Sequence, residues 1–292
     1  MSLRHPHRLL YEDLLLRSLR EDLGGAGDLT TEAVVAEDAR ASARFVARRP
    51  GRIAGLRVAI DTLRLLDPAL EARVDHGDGA DVAAGAVLAR VEGSARAILT
   101  GERVALNFLG RLSGIATATR EVALAIAGHR ARIADTRKTT PGLRVLEKYA
   151  VRAGGGANHR FGLDDAILIK DNHVAFAGGL RAAVERARAA AGHTVRIEVE
   201  VDSLAQLDEA LALGVDLILL DNFSIADLRR AVDRAAGRAV LEASGGITPG
   251  NAAAVASTGV DLLSAGWLTH SAPSLDVALD VELGERLLRG KR

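Results

Sequence analysis

Lysine is rare in this chain, and its few positions are therefore informative. The sequence has 292 residues with 38 Lys+Arg, but the only lysines are Lys138, Lys148, Lys170 and Lys291. An ammonium and a guanidinium differ in how they bind phosphate and handle protons, so a lysine in an arginine-rich chain suggests a chemical role. Lys138 and Lys170 each follow a short apolar run, where a strand would end. We expect these two at a catalytic site, whereas Lys291 lies in a polar tail.

Potential cations are concentrated between residues 137 and 170, a stretch that contains Arg137, Lys138, His159, Arg160 and Lys170. The chain as a whole is neutral, with 38 Lys+Arg and 38 Asp+Glu, so the concentration is local. It predicts a site for a ligand with several negative charges. The alternative is that the arginines pair with neighbouring aspartates on the surface, and that His159 is a hydrogen-bonded structural histidine.

Two carboxylates, Glu200 and Asp221, end consecutive apolar runs. Carboxylate oxygens hold a hard divalent cation such as Mg²⁺, or they stabilise a developing positive charge. The alternative is a buried ion network in which each carboxylate pairs with Lys138 or Lys170. The two interpretations are compatible with each other.

Small residues follow the last two apolar runs, as Ser244-Gly245-Gly246 and Ala265-Gly266. Small residues let backbone N–H groups approach an anion, and α/β barrels commonly bind phosphate at the ends of their final strands. We therefore predict phosphate binding there, the alternative being that the glycines only turn the chain. The triplet Gly154-Gly155-Gly156 follows no strand and lacks dinucleotide-binding phasing, so we interpret it as a hinge.

The elements that would position these residues repeat along the second half of the chain. Short apolar runs end near Lys138, Lys170, Glu200, Asp221, Ser244 and Gly266, with room for one helix in each interval. Helical spacing of apolar residues recurs over 178–191, 203–213, 225–236 and 249–258. These alternating signals predict parallel strands in a βα-repeat barrel, whose active site lies at the carboxyl ends of the strands.

The first half of the chain has a different pattern. Apolar residues at helical spacing predict an amphipathic helix over 8–23. Between residues 40 and 93, short stretches of alternating polarity are separated by glycines, which predicts antiparallel strands with one helix among them. Helical spacing resumes over 94–127, where we expect two helices broken near Gly110 and Gly114.

Composition excludes several classes of protein. The sequence has no cysteine, which excludes disulfides, thiolate nucleophiles and iron–sulfur sites and fits a reducing compartment. Its charge is balanced and no apolar run reaches the roughly 18 residues of a membrane helix, so we expect neither nucleic acid nor membrane as a partner. The N-terminal residues lack the apolar core of a secretory signal, and we expect a cytoplasmic protein.

Longer motifs point to a family. In the second half they are TRKTTPGLR (136–144), EKYAVR (147–152), NHRFGL (158–163), LIKDNH (168–173), EVEVD (198–202), LLDN (219–222), EASGG (242–246) and GWLTHS (266–271). In the first half they are GDLTT (27–31) and ERVALN (102–107). This set, which covers almost the whole chain, strongly resembles the quinolinate phosphoribosyltransferases, also called nicotinate-nucleotide pyrophosphorylases (carboxylating).

The resemblance implies an N-terminal α/β sandwich domain and a C-terminal open α/β barrel, the type II phosphoribosyltransferase fold. On this basis we expect the sandwich with its bridging helices in residues 1–112 and the barrel in 113–272. A helical segment in 273–292 would pack back on the N-terminal domain. The resemblance also implies a homo-oligomer, either a dimer or a hexamer, in which Arg103 enters the site of the partner subunit.

The resemblance further implies a reaction that requires Mg²⁺. Quinolinate and phosphoribosyl pyrophosphate would give nicotinate mononucleotide, pyrophosphate and carbon dioxide, in de novo NAD biosynthesis. The implied quinolinate-binding residues are Arg103, Thr136, Arg137, His159, Arg160 and Lys170. The implied catalytic residues are Lys138, Lys170, Glu200 and Asp221, and the metal would be held by Glu200 and Asp221, directly or indirectly. The implied phosphoribosyl and phosphate contacts are Lys138, Glu200, Asp221, Ser244, Gly245, Gly246, Ala265 and Gly266.

Three other functions would require a different set of residues at the site. A paralogous phosphoribosyltransferase that acts on nicotinate, or one associated with molybdenum operons, would need fewer of the carboxylate-binding side chains. A catalytically silent ligand-binding protein on the same scaffold would have lost a catalytic lysine or carboxylate. A Schiff-base aldolase would hold Lys170 in an apolar pocket without so many cations. Trp267 is bulkier than the usual neighbour of the final glycine, and it either narrows the phosphate end of the site or packs outside the barrel.

Overall fold

The computed structural model describes residues 3–282, which divide into two compact units that alternate along the chain. Unit 1 consists of the described residues up to Ala118, then Thr140–Gly155, and then the residues from Ser271. Unit 2 consists of Thr119–Thr139 and Gly156–His270. The segments predicted from the sequence, 1–112, 113–272 and 273–292, follow one another along the chain, whereas the chain leaves unit 2 at Thr140 and re-enters it after one helix.

The secondary structure has the following bounds. The helices are α1 (Glu12–Leu23), α2 (Leu29–Val34), α3 (Leu56–Leu66), α4 (Ala95–Ala125), α5 (Arg144–Ala153), α6 (Asp171–Ala177), α7 (Leu180–Ala190), α8 (Leu204–Ala212), α9 (Ile225–Ala235), α10 (Pro249–Ala256) and α11 (Trp267–His270), with a 3₁₀ turn at Arg8–Leu10. The strands are β1 (Arg40–Ala47), β2 (Gly51–Arg52), β3 (Glu71–Val74), β4 (Asp81–Val82), β5 (Val87–Ser94), β6 (Arg132–Ala134), β7 (Ile167–Ile169), β8 (Ile197–Val201), β9 (Leu217–Asp221), β10 (Val240–Ser244), β11 (Leu262–Ser264) and β12 (Val277–Glu282).

Unit 1 is built on an antiparallel sheet, as its alternating polarity predicted. The strand order is β12-β1-β5-β3, and β2 pairs separately with β4. Phe45 of β1 and Leu88 of β5 are fully buried together with Leu63 of α3 and Leu109 of α4. The sheet and these two helices therefore share one apolar core, in which burial of each large side chain contributes about 1.5–3 kcal/mol.

The end of the described chain is a strand, so the helical segment predicted over 273–292 is wrong for the residues described. β12 runs antiparallel to β1, with Phe45 opposite Leu279 and Ala43 opposite Val281. Its sequence VALDVE alternates in polarity and β-branched valines recur in it, which suits an edge strand with one packed face. The remainder of the predicted segment, 283–292, lies outside the described residues.

Helix α4 is continuous, so the predicted break near Gly110 and Gly114 is wrong. A Cβ at Gly114 would lie 2.0 Å from the carbonyl oxygen of Pro273, and one at Gly110 would lie 2.9 Å from that of Leu275. The two glycines are one helical turn apart and form a groove in which the backbone of residues 273–275 lies. They serve close packing, at a cost in helix propensity of about 1 kcal/mol each.

Unit 2 is a parallel sheet of β6-β11-β10-β9-β8-β7, and from β7 to β11 helices of this unit connect successive strands. The ends of this order, β6 and β7, are not paired with each other, so the strands form an open α/β barrel, as predicted. The helices predicted at 203–213, 225–236 and 249–258 are α8, α9 and α10. Strand-ending polar residues consequently meet at one edge.

None of the helices within residues 3–282 combines the length and the apolar character needed to cross a bilayer. The longest, α4, carries charged residues along its length.

Candidate active site

A cavity of about 970 Å³ opens at the carboxyl ends of the strands of unit 2. The unit-2 residues predicted for the site all line it, namely Thr136, Arg137, Lys138, His159, Arg160, Lys170, Glu200, Asp221, Ser244, Gly245, Gly246, Ala265 and Gly266. Arg103 is not among the residues that line this cavity; it belongs to α4 in unit 1 and lines a cavity of about 360 Å³ there. The structure contains one chain, so the donation of Arg103 to a partner stays a prediction.

Lys170 and Glu200 form an ion pair across neighbouring strands. Lys170 directly follows β7 and Glu200 lies in β8, which pairs with β7, and Lys170 Nζ contacts Glu200 Oε2. The backbone N–H of Lys170 donates to His173 Nδ1 (2.9 Å), so His173 is a helix-capping residue. The ion pair considered in the sequence analysis is present, and it engages one of the two carboxylate oxygens of Glu200.

Lys138 is held by residues of the neighbouring loop and of α11. Its backbone N–H donates to Thr136 Oγ1 (3.0 Å), and its carbonyl accepts from Thr269 Oγ1 (2.8 Å). Its side chain crosses Gly266, where an added Cβ would lie 2.7 Å from Lys138 Cδ. The glycine after β11 therefore provides space for the lysine side chain.

Asn222 joins the loops after β9 and β10, a role that was not predicted from the sequence. Its backbone N–H donates to the carbonyl of Ser244 (2.8 Å), and its side-chain amide donates to Asp221 Oδ2 (2.9 Å). Its φ of +57° is a left-handed conformation, in which asparagine is enriched. A Cβ at Gly245 would lie 2.1 Å from Asn222 Oδ1, so glycine is required there. The signal in the sequence was an asparagine immediately after a strand-ending aspartate.

The loop from Ser244 to Thr248 is held by side chains from two elements. Asn251 of α10 donates from Nδ2 to the carbonyl of Gly246 (2.8 Å), and the indole N–H of Trp267 donates to the carbonyl of Ile247 (2.7 Å). Gly246 has φ +61°, which favours glycine. The loop is therefore fixed at the edge of the cavity where the sequence predicted a phosphate.

Arg137 and Arg160 are the guanidinium groups of the cavity. The Nε atom of each is buried and has no hydrogen-bond partner within residues 3–282. Arg160 Nη1 donates to the carbonyl of Ala166 (2.7 Å), which orients the group. Burial, followed by the charge of Arg137, lowers the pKa of Arg160. A buried donor without an acceptor is costly, so two of them in one cavity favour an anionic ligand over surface ion pairs.

Two aspartates fix the loop that carries His159 and Arg160. Asp135 is fully buried and accepts hydrogen bonds from Asn158 Nδ2 (2.5 Å) and from the backbone N–H of His159 (2.9 Å). Asp165 accepts from the backbone N–H of Phe161 (2.9 Å). The loop after Gly156 thus has a defined conformation on both sides of the two cavity-lining residues.

His159 contacts protein groups through both ring nitrogens. The backbone N–H of Arg160 donates to Nδ1 (2.8 Å), and Nε2 lies 2.9 Å from Glu198 Oε2 and 3.8 Å from Glu242 Oε1. Because Nδ1 accepts a hydrogen bond it carries no proton, and the ring proton lies on Nε2, which donates to Glu198. His159 is therefore a hydrogen-bonded histidine, the alternative that the sequence raised beside a cationic role.

Glu198 and Glu242 are functional candidates that the sequence analysis missed. Both are buried, and the Oε1 atom of each has no hydrogen-bond partner among the described residues. Burial, followed by the charge of Glu198, raises the pKa of Glu242 to about 7. The available signal was a glutamate in the middle of each apolar strand, IEVEV and VLEAS, where a charge requires a partner.

The same two glutamates and His159 have the spacing of a metal site, since their ligand atoms lie within 4.8 Å of one another. A metal ion would require the lone pair of His159 Nε2. That nitrogen carries the ring proton, because Nδ1 is already an acceptor. We therefore interpret the cluster as a hydrogen-bonded network and not as a metal centre.

The chain matches models of two protein domains. "Quinolinate phosphoribosyl transferase, N-terminal domain" matches residues 28–113, and "Quinolinate phosphoribosyl transferase, C-terminal domain" matches residues 115–280. The boundary between the two matches lies inside α4.

Curated relatives and solved structures are similar over nearly the full length. A probable nicotinate-nucleotide pyrophosphorylase [carboxylating] of Bacillus subtilis is 46% identical over 277 residues, covering 95% of each chain. The nicotinate-nucleotide pyrophosphorylase [carboxylating] of Mycobacterium leprae is 48% identical, covering 92% of this chain and 96% of its own. The crystal structure of NadC from Streptococcus pyogenes superposes with a TM-score of 0.92 at 41% identity, covering 96% of this chain and 99% of that one.

Proposed function

This chain belongs to the quinolinate phosphoribosyltransferase family, and from that premise we propose that it makes nicotinate mononucleotide in de novo NAD biosynthesis. It transfers the phosphoribosyl group of phosphoribosyl pyrophosphate to the ring nitrogen of quinolinate and removes one carboxylate. The products are nicotinate mononucleotide, pyrophosphate and carbon dioxide. The enzyme is thus a decarboxylating pentosyltransferase.

The observation that carries the choice of acceptor is the pair of unsatisfied guanidinium Nε atoms on Arg137 and Arg160. Quinolinate has two adjacent carboxylates, and charge-assisted hydrogen bonds from two guanidinium groups suit such a ligand. Thr136, His159 and Lys170 line the same cavity and complete the set proposed to contact quinolinate from this chain. His159 also fixes Arg160, because its Nδ1 accepts the hydrogen bond from the backbone N–H of Arg160.

The phosphoribosyl donor is proposed to occupy the opposite edge of the cavity. The fixed loop Ser244–Gly245–Gly246, together with Ala265 and Gly266, presents small residues to a phosphate. Lys138 and Lys170 supply ammonium groups for the phosphates, and Glu200 and Asp221 supply carboxylates for ribose hydroxyls or for a metal ion. This division assigns a role to every predicted residue of unit 2.

The chemistry needs no protein nucleophile. The ring nitrogen attacks the anomeric carbon while the bond to pyrophosphate breaks, and pyrophosphate leaves with the bonding electron pair. Positive charge develops on the ribose in an oxocarbenium-like state, which the carboxylates of Glu200 and Asp221 stabilise. The pyridinium that results then accepts the electrons of the carbon–carboxylate bond as carbon dioxide leaves, and a proton takes the vacated position. The protein contributes positioning and charge.

Glu200 and Asp221 also fit a Mg²⁺ ion that the reaction is proposed to require. Both line the cavity, and both offer hard oxygen ligands beside the proposed phosphate site. Bound Mg²⁺ would neutralise charge on the pyrophosphate leaving group. The Lys170 ammonium neutralises charge on Glu200, whereas the Asn222 amide that donates to Asp221 is uncharged, so Asp221 keeps more negative charge for the ion.

The proposal has two further parts, namely a site shared between subunits through Arg103 and a cytoplasmic location. Arg103 lies on α4 in unit 1 and is proposed to enter the site of a partner subunit in a homo-oligomer. The absence of cysteine, together with the lack of a membrane-spanning helix within residues 3–282, supports a cytoplasmic location. Mixed dimers of an Arg103→Ala chain and a Lys138→Ala chain should recover activity that neither variant has alone.

Product analysis tests the function directly. The purified protein with phosphoribosyl pyrophosphate and Mg²⁺ should convert quinolinate to nicotinate mononucleotide with one equivalent of carbon dioxide, and it should not turn over nicotinate. Turnover of nicotinate would transfer the assignment to a paralogous phosphoribosyltransferase. Binding of phosphoribosyl pyrophosphate without turnover of either acceptor would instead indicate a silent ligand-binding protein.

A further inference from the structure

Trp267 is the only tryptophan of the chain, and it lines the cavity of unit 2. It follows Gly266 at the start of α11, after the last strand of the sheet in sequence. Its indole N–H donates to the carbonyl of Ile247 (2.7 Å), in the loop between β10 and α10. The side chain therefore connects the two loops that are proposed to bind phosphate.

The neighbouring carbonyl of the same loop is held from the other side. Asn251 Nδ2 donates to the carbonyl of Gly246 (2.8 Å), and Asn251 Oδ1 accepts from the backbone N–H of Thr248 (2.7 Å). The N–H groups of Gly245, Gly246 and Ile247 have no protein acceptor among the described residues. The loop thus has two engaged carbonyls and three available N–H groups at the edge of the cavity.

We propose that Trp267 is a positioning residue for the phosphate-bearing substrate, and that its indole hydrogen bond keeps the Ile247 carbonyl away from the phosphate and the loop N–H groups available to it. A phosphate is attracted by backbone N–H dipoles and repelled by carbonyl oxygens. If the Ile247 peptide were free to rotate, it could present its oxygen to the anion. The inference rests on the proposed function only in that phosphoribosyl pyrophosphate is the phosphate-bearing substrate.

Trp267→Phe tests the proposal, because it keeps an aromatic ring and removes the N–H donor. Loss of one neutral hydrogen bond should raise the KM for phosphoribosyl pyrophosphate about 3- to 10-fold. Because the change acts at the donor end only, kcat and the KM for quinolinate should stay within about twofold of wild type. A residue with a merely structural role would change kcat and both KM values together, or none of them.

Ser257→Ala is the matched control. Ser257 Oγ also donates to one backbone carbonyl, that of Ala254 (2.8 Å), but it lies exposed just after the opposite end of α10. The variant loses the same kind of hydrogen bond outside the cavity. It should leave both KM values at the wild-type level.

The single tryptophan also gives a measurement on the unmodified protein. Titration of wild type with phosphoribosyl pyrophosphate, or with inorganic pyrophosphate, should change the tryptophan emission with saturation. Quinolinate alone should leave it nearly unchanged. Acrylamide quenching of the emission should decrease when the phosphate compound is bound, because the ring at the edge of the cavity becomes covered.

The two experiments separate this inference from the proposed function. If wild type turns over quinolinate but Trp267→Phe keeps the wild-type KM for the donor, the positioning role is refuted and the function stands. If wild type does not turn over quinolinate, the function fails, and the emission titration decides the inference alone. If neither phosphate compound changes the tryptophan emission of wild type, the positioning role of Trp267 is refuted. The same emission titration tests the role if the Trp267→Phe variant does not fold.

Discussion

Replacing Gly266 by alanine adds a single methyl group and should lower kcat/KM strongly. The new Cβ would lie 2.7 Å from Lys138 Cδ, 3.2 Å from Lys138 Cβ and 3.3 Å from Thr136 Oγ1. Carbon atoms in contact prefer separations of about 3.5–4.0 Å, so the lysine must move by several tenths of an ångström to about 1 Å. It cannot move by rotating its end alone, because its Cβ is crowded as well and Thr269 holds its carbonyl.

The size of the effect follows from that displacement. Misplacing a catalytic group by about 1 Å costs about 100-fold, which corresponds to roughly 2.7 kcal/mol of transition-state stabilisation. Gly266 does not have a left-handed φ, so alanine adopts its backbone conformation without strain. Lys138 is exposed and lines the open cavity, so it can give way to the methyl group, and we expect a loss of only about 1 kcal/mol of stability from crowding.

Steady-state kinetics and thermal unfolding of Gly266→Ala check this prediction, with Gly250→Ala as the matched control. A Cβ at Gly250 would meet nothing nearer than Thr248 Oγ1 at 3.9 Å, and its φ is also ordinary. The control should keep full activity, while Gly266→Ala loses about two orders of magnitude in kcat/KM and a few degrees of Tm. If Gly266→Ala keeps at least a third of wild-type kcat/KM, the argument that Lys138 is positioned across Gly266 is refuted.

Three further predictions follow from other parts of the structure. Arg160→Lys should raise the KM for quinolinate about 10- to 100-fold and change the KM for phosphoribosyl pyrophosphate little, because an ammonium cannot replace a guanidinium that pairs with a carboxylate. Steady-state kinetics check this, and an equal rise in both KM values would contradict it. Burial raises the pKa of Glu242 to about 7 in the folded protein. Its contribution to the free energy of unfolding is therefore complete when the pH is below the pKa of glutamate in the unfolded chain, and it is lost as the pH rises through about 7. Tm measured from pH 5 to pH 8 should therefore fall less in Glu242→Gln than in wild type, and parallel Tm profiles would refute the assignment. Gly114→Ala should lower Tm by several degrees, because its Cβ would lie 2.0 Å from the Pro273 carbonyl oxygen; an unchanged Tm would show that the segment moves freely.

Much of the site could be predicted from sequence because parallel strands have a fixed polarity. Each apolar run in a βα repeat must end at the same edge of the sheet, so the polar residue after each run enters the same cavity. Lys170, Asp221 and Ser244, which are far apart in the chain, meet there for that reason. The polarity of the strands does not reveal which side-chain atoms then contact one another, and Asn222 was missed because its role depends on Gly245 of the next loop.

The errors have a shared physical origin in contacts between distant segments. Two glycines in a helical pattern normally indicate a break, but Gly110 and Gly114 lie inside α4 because the backbone of residues 273–275 packs against them. The contacts of His159 also come from distant segments. The state of His159 depends on a backbone N–H and on a glutamate 39 positions further along the chain, and residue type alone contains neither.

The buried glutamates explain how this site keeps its cations available for a ligand. Glu198 and Glu200 are two residues apart in β8, so they face the same side of the sheet, with Glu198 about 6.6 Å further from the carboxyl end. The charge of Glu198 raises the pKa of Arg160 against the effect of burial, although the two side chains form no ion pair in the described structure. A carboxylate in direct contact with the Arg160 Nε atom would have to be displaced by the substrate. Glu198 lies deeper, so it stabilises the charge of the Arg160 guanidinium through space and leaves the Arg160 Nε donor for a carboxylate of the ligand. Removal of the Glu198 carboxylate should therefore weaken quinolinate binding, although Glu198 does not contact the ligand.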